Sequence, residues 1–214
     1  MATAAEPQPS ISLREVLGRQ DYAIISGLIE PGAKVLDLGC GDGELLEWLA
    51  RHKDVEARGV EINGTKVQRA IARGVSVYQG DIDQGLIDYP DQAFDYVILS
   101  QTLQETRHPL HVLQEMLRVG CRIIVAFPNF GHWSVRLAHL VSGRAPKTKL
   151  FPHDWYDSPN IHFLTVDDFQ ELARRQSWIV ERRIFIQGQR RVYRFPNLMT
   201  EVAVFLVTTA ERHR

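Results

Sequence analysis

Three glycines at alternate positions, Gly39, Gly41 and Gly43, lie in the stretch VLDLGCGDGELL, between an apolar run and a helix-like run. Glycine lets the backbone turn tightly and approach a ligand without a clash from Cβ. The helix that follows presents free N–H groups and the positive end of its dipole, which favours a polar or negatively charged ligand group. The stretch therefore predicts a ligand-binding loop, with a tight turn that binds nothing as the alternative interpretation.

The spacing of these glycines limits which cofactor the loop can bind. A dinucleotide-binding loop follows the pattern Gly-x-Gly-x-x-Gly, and its third glycine would fall at position 44. The residue there is Glu44, whose negative charge would repel a pyrophosphate. The sequence therefore disfavours a nicotinamide cofactor.

Carboxylates stand at or near the ends of the first three strand-like runs, at Asp37, Glu61 and Asp81. Ligands of a parallel sheet bind outside the carboxyl ends of its strands. Glu61 lies about 20 residues after the glycine loop, where an acidic residue accepts hydrogen bonds from ribose hydroxyls. Asp81 can accept a hydrogen bond from an adenine amino group. Each acid alone could cap a turn, but the three together predict a nucleoside-binding site.

Strand-like and helix-like segments alternate along the chain. Seven apolar runs of strand length span 34–39, 56–62, 75–81, 94–100, 121–128, 178–186 and 201–209. Helical periodicity is present at 42–52, 64–74, 109–119, 132–143 and 165–176, and one or two further helices fall between Leu13 and Ile29. This alternation predicts an α/β fold with a mostly parallel sheet and helices on both faces.

The motifs resemble those of the class I S-adenosylmethionine-dependent methyltransferases. DLGCGDG is similar to the first motif of that family, GVEI to its second acidic position, QGDID to its third and FDYVILSQTLQE to its fourth. The resemblance implies a Rossmann-like sheet of seven strands, with the last strand antiparallel, that binds S-adenosylmethionine or S-adenosylhomocysteine. The residues that it assigns to the cofactor are Asp37, Gly39, Cys40, Gly41, Gly43, Glu61, Ile62, Asp81, Ile82, Ser100 and Gln101.

Longer strings are similar to one family in particular, MetW of methionine biosynthesis. They are LDLGCGDGELL, QGDIDQGLIDYPDQAFDYVILSQTLQETRHP, MLRVG, AFPNFGHWSVRL and WYDSPNIHF, and one departure is Asn63, where an aspartate is expected. This resemblance implies a supporting or regulatory protein that partners homoserine O-acyltransferase, the enzyme that makes the activated homoserine ester. The methyltransferase fold keeps a second hypothesis open, a methyltransferase that acts on a small molecule.

Methyl transfer needs an acceptor near the sulfonium, and a base only where that acceptor must lose a proton. The end of the fourth strand, LSQTLQETRHP, lacks the Asn/Asp-Pro-Pro-aromatic signature of enzymes that methylate nucleic-acid bases. His132 is the candidate base, because it follows the fifth strand and opens a helix, although a histidine there can also be structural. The histidine spacings fit no common metal motif, so we expect no metal site.

The segment after the fifth strand breaks the alternation. Within residues 128–163 it contains the stretch HDWYDSPNIHF, which has neither helical nor strand periodicity. We expect this insertion to form a lid and recognition surface in a single domain at 11–214, after a disordered leader at 1–10. The recognition candidates are Asn129, Trp133, Trp155, Tyr156, Asn160 and His162.

The composition limits the class of protein. A formal net charge of -1 over 214 residues argues against a nucleic-acid-binding surface, which would be basic. No apolar run approaches the roughly 20 residues needed to cross a bilayer, and two cysteines form no disulfide framework. We therefore expect a cytoplasmic protein that binds neither nucleic acid nor membrane. A late cluster of arginines is either a solvated hairpin or a contact for an acidic partner: Arg182, Arg183, Arg190, Arg191 and Arg194.

Overall fold

The apolar runs predicted as strands pair into one sheet. The computed structural model describes residues 20–148 and 150–210, so the predicted leader, Leu13 and Leu17 lie outside the described residues. The strands are Lys34–Leu38 (β1), Glu56–Glu61 (β2), Ser76–Gln79 (β3), Phe94–Ser100 (β4), Gly120–Pro128 (β5), Trp178–Gln187 (β6), Arg190–Arg191 (β7) and Val202–Thr209 (β8). Their order across the sheet is β3-β2-β1-β4-β5-β8-β6-β7.

Most of the sheet is parallel. Strands β3, β2, β1, β4 and β5 pair in parallel, whereas β8 runs antiparallel between β5 and β6. The predicted α/β class, the mostly parallel sheet and the antiparallel last strand are confirmed. The described sheet has eight strands rather than seven, because Arg190 and Arg191, in the predicted linker, add a two-residue strand beside β6.

Helices cover both faces of this sheet. They are Gln20–Leu28 (α1), Glu44–Lys53 (α2), Gly64–Ala72 (α3), Pro109–Val119 (α4), Trp133–Ser142 (α5), Val166–Arg175 (α6) and Pro196–Met199 (α7). In β4, Val97 and Leu99 pack with α4 and α6, whereas Tyr96 and Ile98 pack with α1 and α2. Consecutive apolar residues are what a strand buried on both faces requires. Along the described ranges, no helix combines the length and apolar character that crossing a bilayer would need.

Three phenylalanines join the parallel and antiparallel parts of the sheet. Phe127 of β5, Phe169 of α6 and Phe205 of β8 are fully buried, with ring centroids 4.6 to 5.8 Å apart. Truncation of a buried phenylalanine to alanine typically costs about 3–5 kcal/mol. The cluster therefore holds the carboxyl end of β5, from which the insertion departs, in a fixed position.

Helix α5 lies in the insertion and turns an apolar face to solvent. Its periodicity places Trp133, Leu137, Leu140 and Val141 on one side, and in the structure all four are exposed. The inward contact of the helix is Val135, which is buried. An amphipathic helix usually buries its apolar side, so this exposed side needs an explanation.

Candidate functional site

A cleft of about 410 Å³ lies at the carboxyl ends of β1, β2, β3 and β4. This volume falls in the range of small-molecule sites, about 300–1,000 Å³. The structure brings together most of the predicted cofactor residues along its wall, namely Gly39, Gly41, Glu61, Ile62, Asp81, Ile82, Ser100 and Gln101.

The glycine loop is fastened to the end of β2. The N–H groups of Gly39 and Cys40 donate to the carbonyl of Val60 at 2.8 and 3.1 Å. Gly39 has a φ of 69°, and a Cβ there would lie 2.7 Å from Thr102 Oγ1. Gly41 also has a positive φ, of 59°, but a Cβ there would meet nothing within 4 Å. The first glycine is therefore required by packing, and the second leaves open space beside the backbone.

Glu61 is both an anchor for this loop and an available acceptor. It is 5% exposed, its Oε2 accepts from the Gly41 N–H and its Oε1 from the Asn63 N–H, each at 2.9 Å. A carboxylate has about four lone-pair sites, so each oxygen keeps capacity for one more donor. A ligand with two adjacent hydroxyl groups would satisfy that capacity.

Asn63, the departure from the expected aspartate, caps α3. Its side-chain oxygen accepts from the N–H groups of Thr65 and Lys66 at 3.0 and 3.2 Å. Asparagine and aspartate are about equally good in this position. The substitution therefore preserves the local structure.

Asp81 and Ile82 form the wall beyond β3. Asp81 Oδ1 accepts from the Asp83 N–H at 3.0 Å and caps the 3₁₀ turn that begins at Ile82. The Asp83 carboxylate in turn accepts from the N–H groups of Arg107 and His108, each at 2.9 Å. This wall is thereby tied to the segment that follows β4.

The end of β4 is strained and well supported. Ser100 donates its hydroxyl to the buried carboxylate of Asp21 at 2.6 Å. Gln101 adopts a φ of 57°, a left-handed conformation that costs a non-glycine residue about 1–3 kcal/mol. Its N–H donates to the carbonyl of Ala126 at 2.8 Å, and its own carbonyl accepts from Gln104 Nε2 at 2.7 Å. These bonds hold the strained residue at the cleft wall.

Asp37, Cys40 and Gly43, which the resemblance assigns to the cofactor, are not among the residues that line the cleft. Asp37 is 3% exposed. Burial, together with the charges of Asp37 and Glu61, raises the pKa of the Cys40 thiol, which packs where a Cβ on Gly59 would lie 2.5 Å from its Sγ. A Cβ on Gly43 would lie 2.9 Å from the Ala70 Cβ. Cys40 and Gly43 thus support the loop through packing between elements.

Sequence reasoning missed several residues of the wall: Tyr22, Lys66, Thr102, Glu105 and Thr106. Desolvation raises the pKa of the Glu105 carboxyl, the positive charge of Lys66 opposes that shift, Glu61 adds to it and His153 opposes it. The sequence could have identified these residues by their position along the chain, because Lys66 and Glu105 come shortly after the ends of β2 and β4.

A second cavity, of about 380 Å³, lies beside the first. It begins at Leu103, the residue after Thr102 of the cleft, and continues between Leu113 of α4 and Phe169 of α6. His162 also lines it, and its buried Nε2 has no hydrogen-bond partner in the part of the chain that the structure describes. The cavity is therefore largely apolar, with His162 and Asp168 as its polar lining residues.

His132, the candidate base, lies away from the residues that line the cleft. It is 3% exposed and caps α5, because its Nδ1 accepts from the Ser134 N–H at 3.3 Å. Burial lowers its pKa, while the charge of Glu201 opposes that shift. Its Nδ1 also lies 2.7 Å from Ser134 Oγ, and its buried Nε2 has no hydrogen-bond partner among the described residues. This arrangement favours the structural interpretation of His132.

The recognition candidates divide between interior and surface. Asn129 is fully buried, donates to the carbonyls of Asn197 and Thr200, and accepts from the N–H groups of Gly131 and Val166, so its role is structural. Trp155 and Tyr156 are 79% and 74% exposed, and Trp133 is 44% exposed. Asn160 and His162 are half-buried.

The HDWYDSPNIHF stretch contacts the segment after β4. The N–H groups of Ile161 and His162 both donate to the carbonyl of Gln104, at 2.8 and 3.0 Å. His153, in the same stretch, opposes the rise in the pKa of Glu105 at the cleft wall. Over residues 20–148 and 150–210, no three His, Cys, Asp or Glu side chains are arranged to hold a metal ion.

Comparison with known sequences shows which family the chain matches. The chain matches the family described as "Methionine biosynthesis protein MetW" over residues 19–207. A relative from Rhodopirellula baltica, the bifunctional methionine biosynthesis protein MetXA/MetW, is 34% identical, and the match covers 93% of this chain and 34% of that protein. The chain spans about a third of the length of the curated relatives that it matches.

Solved structures share the fold at low identity. A possible histamine N-methyltransferase from Thermotoga maritima is 18% identical with a TM-score of 0.62, covering 88% of this chain and 86% of that one. The [4+2]-cyclase SpnF is 16% identical with a TM-score of 0.64, covering 89% of this chain and 80% of that one. Likeness at this level establishes the Rossmann-like methyltransferase fold and leaves the activity to be argued from the site.

Proposed function

Since the chain belongs to the MetW family of methionine biosynthesis proteins, we propose that it binds S-adenosylmethionine or S-adenosylhomocysteine and supports or regulates homoserine O-acyltransferase as a partner subunit. The observation that carries the proposal is the cleft, whose acceptor groups are already positioned by backbone hydrogen bonds. S-adenosylmethionine is made from methionine, so its binding here would report the product of the pathway to an enzyme at its start.

The residues of the cleft fit such a cofactor. Glu61 would accept from the two ribose hydroxyls, because both of its oxygens keep free acceptor capacity. Asp81 and Ile82 would hold the adenine by a hydrogen bond and an apolar contact, and Gly41 would leave room for the ligand beside the loop. When bound, S-adenosylmethionine supplies an electrophilic methyl group.

Residues 128–163 are proposed to act as the lid of this cleft. The double hydrogen bond from Ile161 and His162 to Gln104 fastens the stretch to the segment after β4. Gln104 in turn bonds to Gln101 at the cleft wall. A ligand that shifts Gln101 would therefore act on the lid through the hydrogen bond between Gln101 and Gln104 and the bonds from residues 161 and 162 to Gln104.

The partner is proposed from the relative in Rhodopirellula baltica, whose name combines MetXA and MetW in one polypeptide. A covalent link raises the effective concentration of one part beside the other, which is useful where the two act on each other. Regulation by the cofactor requires that its affinity differ between the free and the partnered protein.

The test is purification of this chain with homoserine O-acyltransferase from the same organism. The rate of acyl transfer is then measured without the chain, with it, and with added S-adenosylmethionine or S-adenosylhomocysteine. We expect a stable complex, a changed rate, and a further change on addition of the cofactor. Absence of both a complex and a rate change would contradict the proposed function.

A small-molecule methyltransferase is the second candidate, and the apolar cavity beside the cleft favours it. That cavity begins at Leu103, next to the cleft wall, and would hold an apolar acceptor. Glu105, whose pKa is raised, can hold or accept a proton at the same wall. Incubation with methyl-labelled cofactor and cell extract tests this candidate. Tight cofactor binding without a labelled product would count against it.

A further inference from the structure

The exposed side of α5 forms a continuous apolar stripe. Trp133, Leu137, Leu140 and Val141 are 44%, 48%, 82% and 78% exposed. They are spaced by four, three and one residues, so they lie on one side of the helix over two turns. Isolated apolar residues are common on protein surfaces, whereas a continuous patch usually marks a binding surface.

The N-terminal end of α5 lies against the segment around α7, which also exposes large side chains. Gly131, just before α5, packs so closely on this segment that a Cβ would lie 2.9 Å from the carbonyl oxygen of Asn197. Phe195 and Leu198, on either side of Asn197, are 70% and 37% exposed, and Tyr193 is 83% exposed. We call the combined surface, residues 133–141 of α5 with residues 193–198, the docking face.

Arginines border the docking face. Arg190, Arg191 and Arg194 are exposed, and each lies within a few residues of Tyr193. Within the described ranges, none of the three forms an ion pair with an acidic side chain. Tyrosine, tryptophan and arginine are the residues that dominate binding energy at protein interfaces. The composition of this face is therefore that of an interface with an acidic partner.

We propose that the docking face binds homoserine O-acyltransferase, through an apolar groove on that enzyme with carboxylates along its edge. This inference rests on the proposed function and assigns it a surface. Small-ligand binding is assigned to the cleft, whose lining residues include none from the docking face.

Charge favours this occupant over a second copy of the chain. In a twofold dimer, the same patch on each copy meets its equivalent. The docking face contains no aspartate or glutamate, so a second copy would offer Arg190, Arg191 and Arg194 no carboxylate to pair with. The relative that joins MetXA and MetW parts in one polypeptide points to the acyltransferase instead.

The experiment uses the full chain and the acyltransferase, with the dissociation constant as the readout. Leu140→Glu places a charge in the apolar stripe, and Tyr193→Ser removes a ring beside the arginines. Ile71→Glu is the matched control, because Ile71 is 56% exposed in the last turn of α3, which packs at the opposite edge of the sheet. Binding of S-adenosylhomocysteine by each variant checks that the fold is intact.

We expect Leu140→Glu and Tyr193→Ser to weaken the complex about 10-fold or more, and Ile71→Glu to leave it unchanged. Arg194→Glu should slow association and reduce its dependence on salt. If the wild-type complex forms and both surface variants bind as tightly, the docking face is wrong and the proposed function stands. Absence of a wild-type complex contradicts the proposed function itself. Loss of a homodimer in Leu140→Glu, with acyltransferase binding unchanged, would assign the face to a second copy and overturn the proposal.

Discussion

The cleft and the docking face are built on opposite principles. In the cleft, polar groups such as Glu61 and Asp81 are positioned by backbone hydrogen bonds before any ligand arrives. On the docking face, large apolar side chains such as Leu140 and Tyr193 are exposed by about four fifths of their surface. One region is concave and polar, and the other is helical and apolar.

The difference reflects what each class of ligand requires. A small polar ligand gains affinity from few hydrogen bonds, so its acceptors must be fixed in advance. A protein partner gains affinity from the burial of apolar and aromatic side chains, which must remain accessible until it binds. Gln104 connects the cleft to the proposed lid, the segment that also contains α5 of the docking face, since it bonds to Gln101 at the cleft and to residues 161 and 162.

The largest expected effect is the loss of cofactor affinity when Glu61, the proposed ribose acceptor of the cleft, is removed. Glu61→Ala removes the ribose acceptor and frees the N–H groups of Gly41 and Asn63. Hydrogen bonds to a charged group contribute about 1.5–3 kcal/mol, so we expect affinity for S-adenosylhomocysteine to fall about 100-fold. Isothermal titration calorimetry measures this affinity.

Glu56→Ala is the control for this variant, because Glu56 lies on the same strand and its side chain pairs with Lys34 and Arg58 at the surface. Its exposed ion pairs contribute little, and cofactor affinity should stay unchanged. If Glu61→Ala and the wild type bind S-adenosylhomocysteine with equal affinity, the cleft is not the cofactor site.

A smaller effect tests the connection between the two regions. Gln104→Met keeps the buried volume but removes the hydrogen bond to the Gln101 carbonyl. One hydrogen bond contributes about 0.5–1.5 kcal/mol, so cofactor affinity should fall about 3-fold or somewhat more. Acyltransferase binding without cofactor should be unchanged, and its response to cofactor should shrink. A full response in Gln104→Met would show that the coupling takes another route.

The smallest effect concerns His132 at the start of α5. Burial holds its pKa below the usual 6.5, so the unfolded chain takes up the proton more readily than the folded one. The contribution of His132 to stability is therefore complete above about pH 6.5 and declines as the pH falls below that value. The raising influence of Glu201 reduces this decline without reversing it.

His132→Asn keeps a capping side chain, so at pH 7.5 it should change the free energy of unfolding by no more than about 1 kcal/mol. Between pH 7.5 and 5.5 the wild type should lose more stability than this variant, as measured by denaturant unfolding. Parallel pH profiles would show that the imidazole is not the titrating group. If the wild type transfers the labelled methyl group and His132→Asn does not at pH 7.5, His132 would return to the catalytic candidates.

The fold and much of the cleft could be predicted from local sequence. The family resemblance and the α/β class are confirmed, because strand-end residues such as Glu61 and Asp81 belong to short segments whose order fixes where they meet. The positions of Asp37, Cys40 and Gly43 outside the cleft lining depend on contacts distant in sequence, such as that between Gly43 and Ala70. Spacing alone contains no information about those contacts.

The docking face was less predictable for a related reason. The periodicity of α5 identifies an apolar side, but only the packing of Val135 shows which side faces inward. Likewise, the two-residue strand β7 forms because Arg190 and Arg191 pair with β6, although neither residue favours a strand. In both cases the tertiary structure decided what the local pattern left open.

Hydrogen–deuterium exchange on the wild-type chain, with S-adenosylhomocysteine and homoserine O-acyltransferase added separately, shows which segments each of them covers. We expect the cofactor to protect residues 39–43, 61–63, 81–84 and 101–106, and the acyltransferase to protect residues 133–141 and 193–198. Protection of the cleft segments by the acyltransferase, with residues 133–141 and 193–198 unchanged, would contradict this assignment.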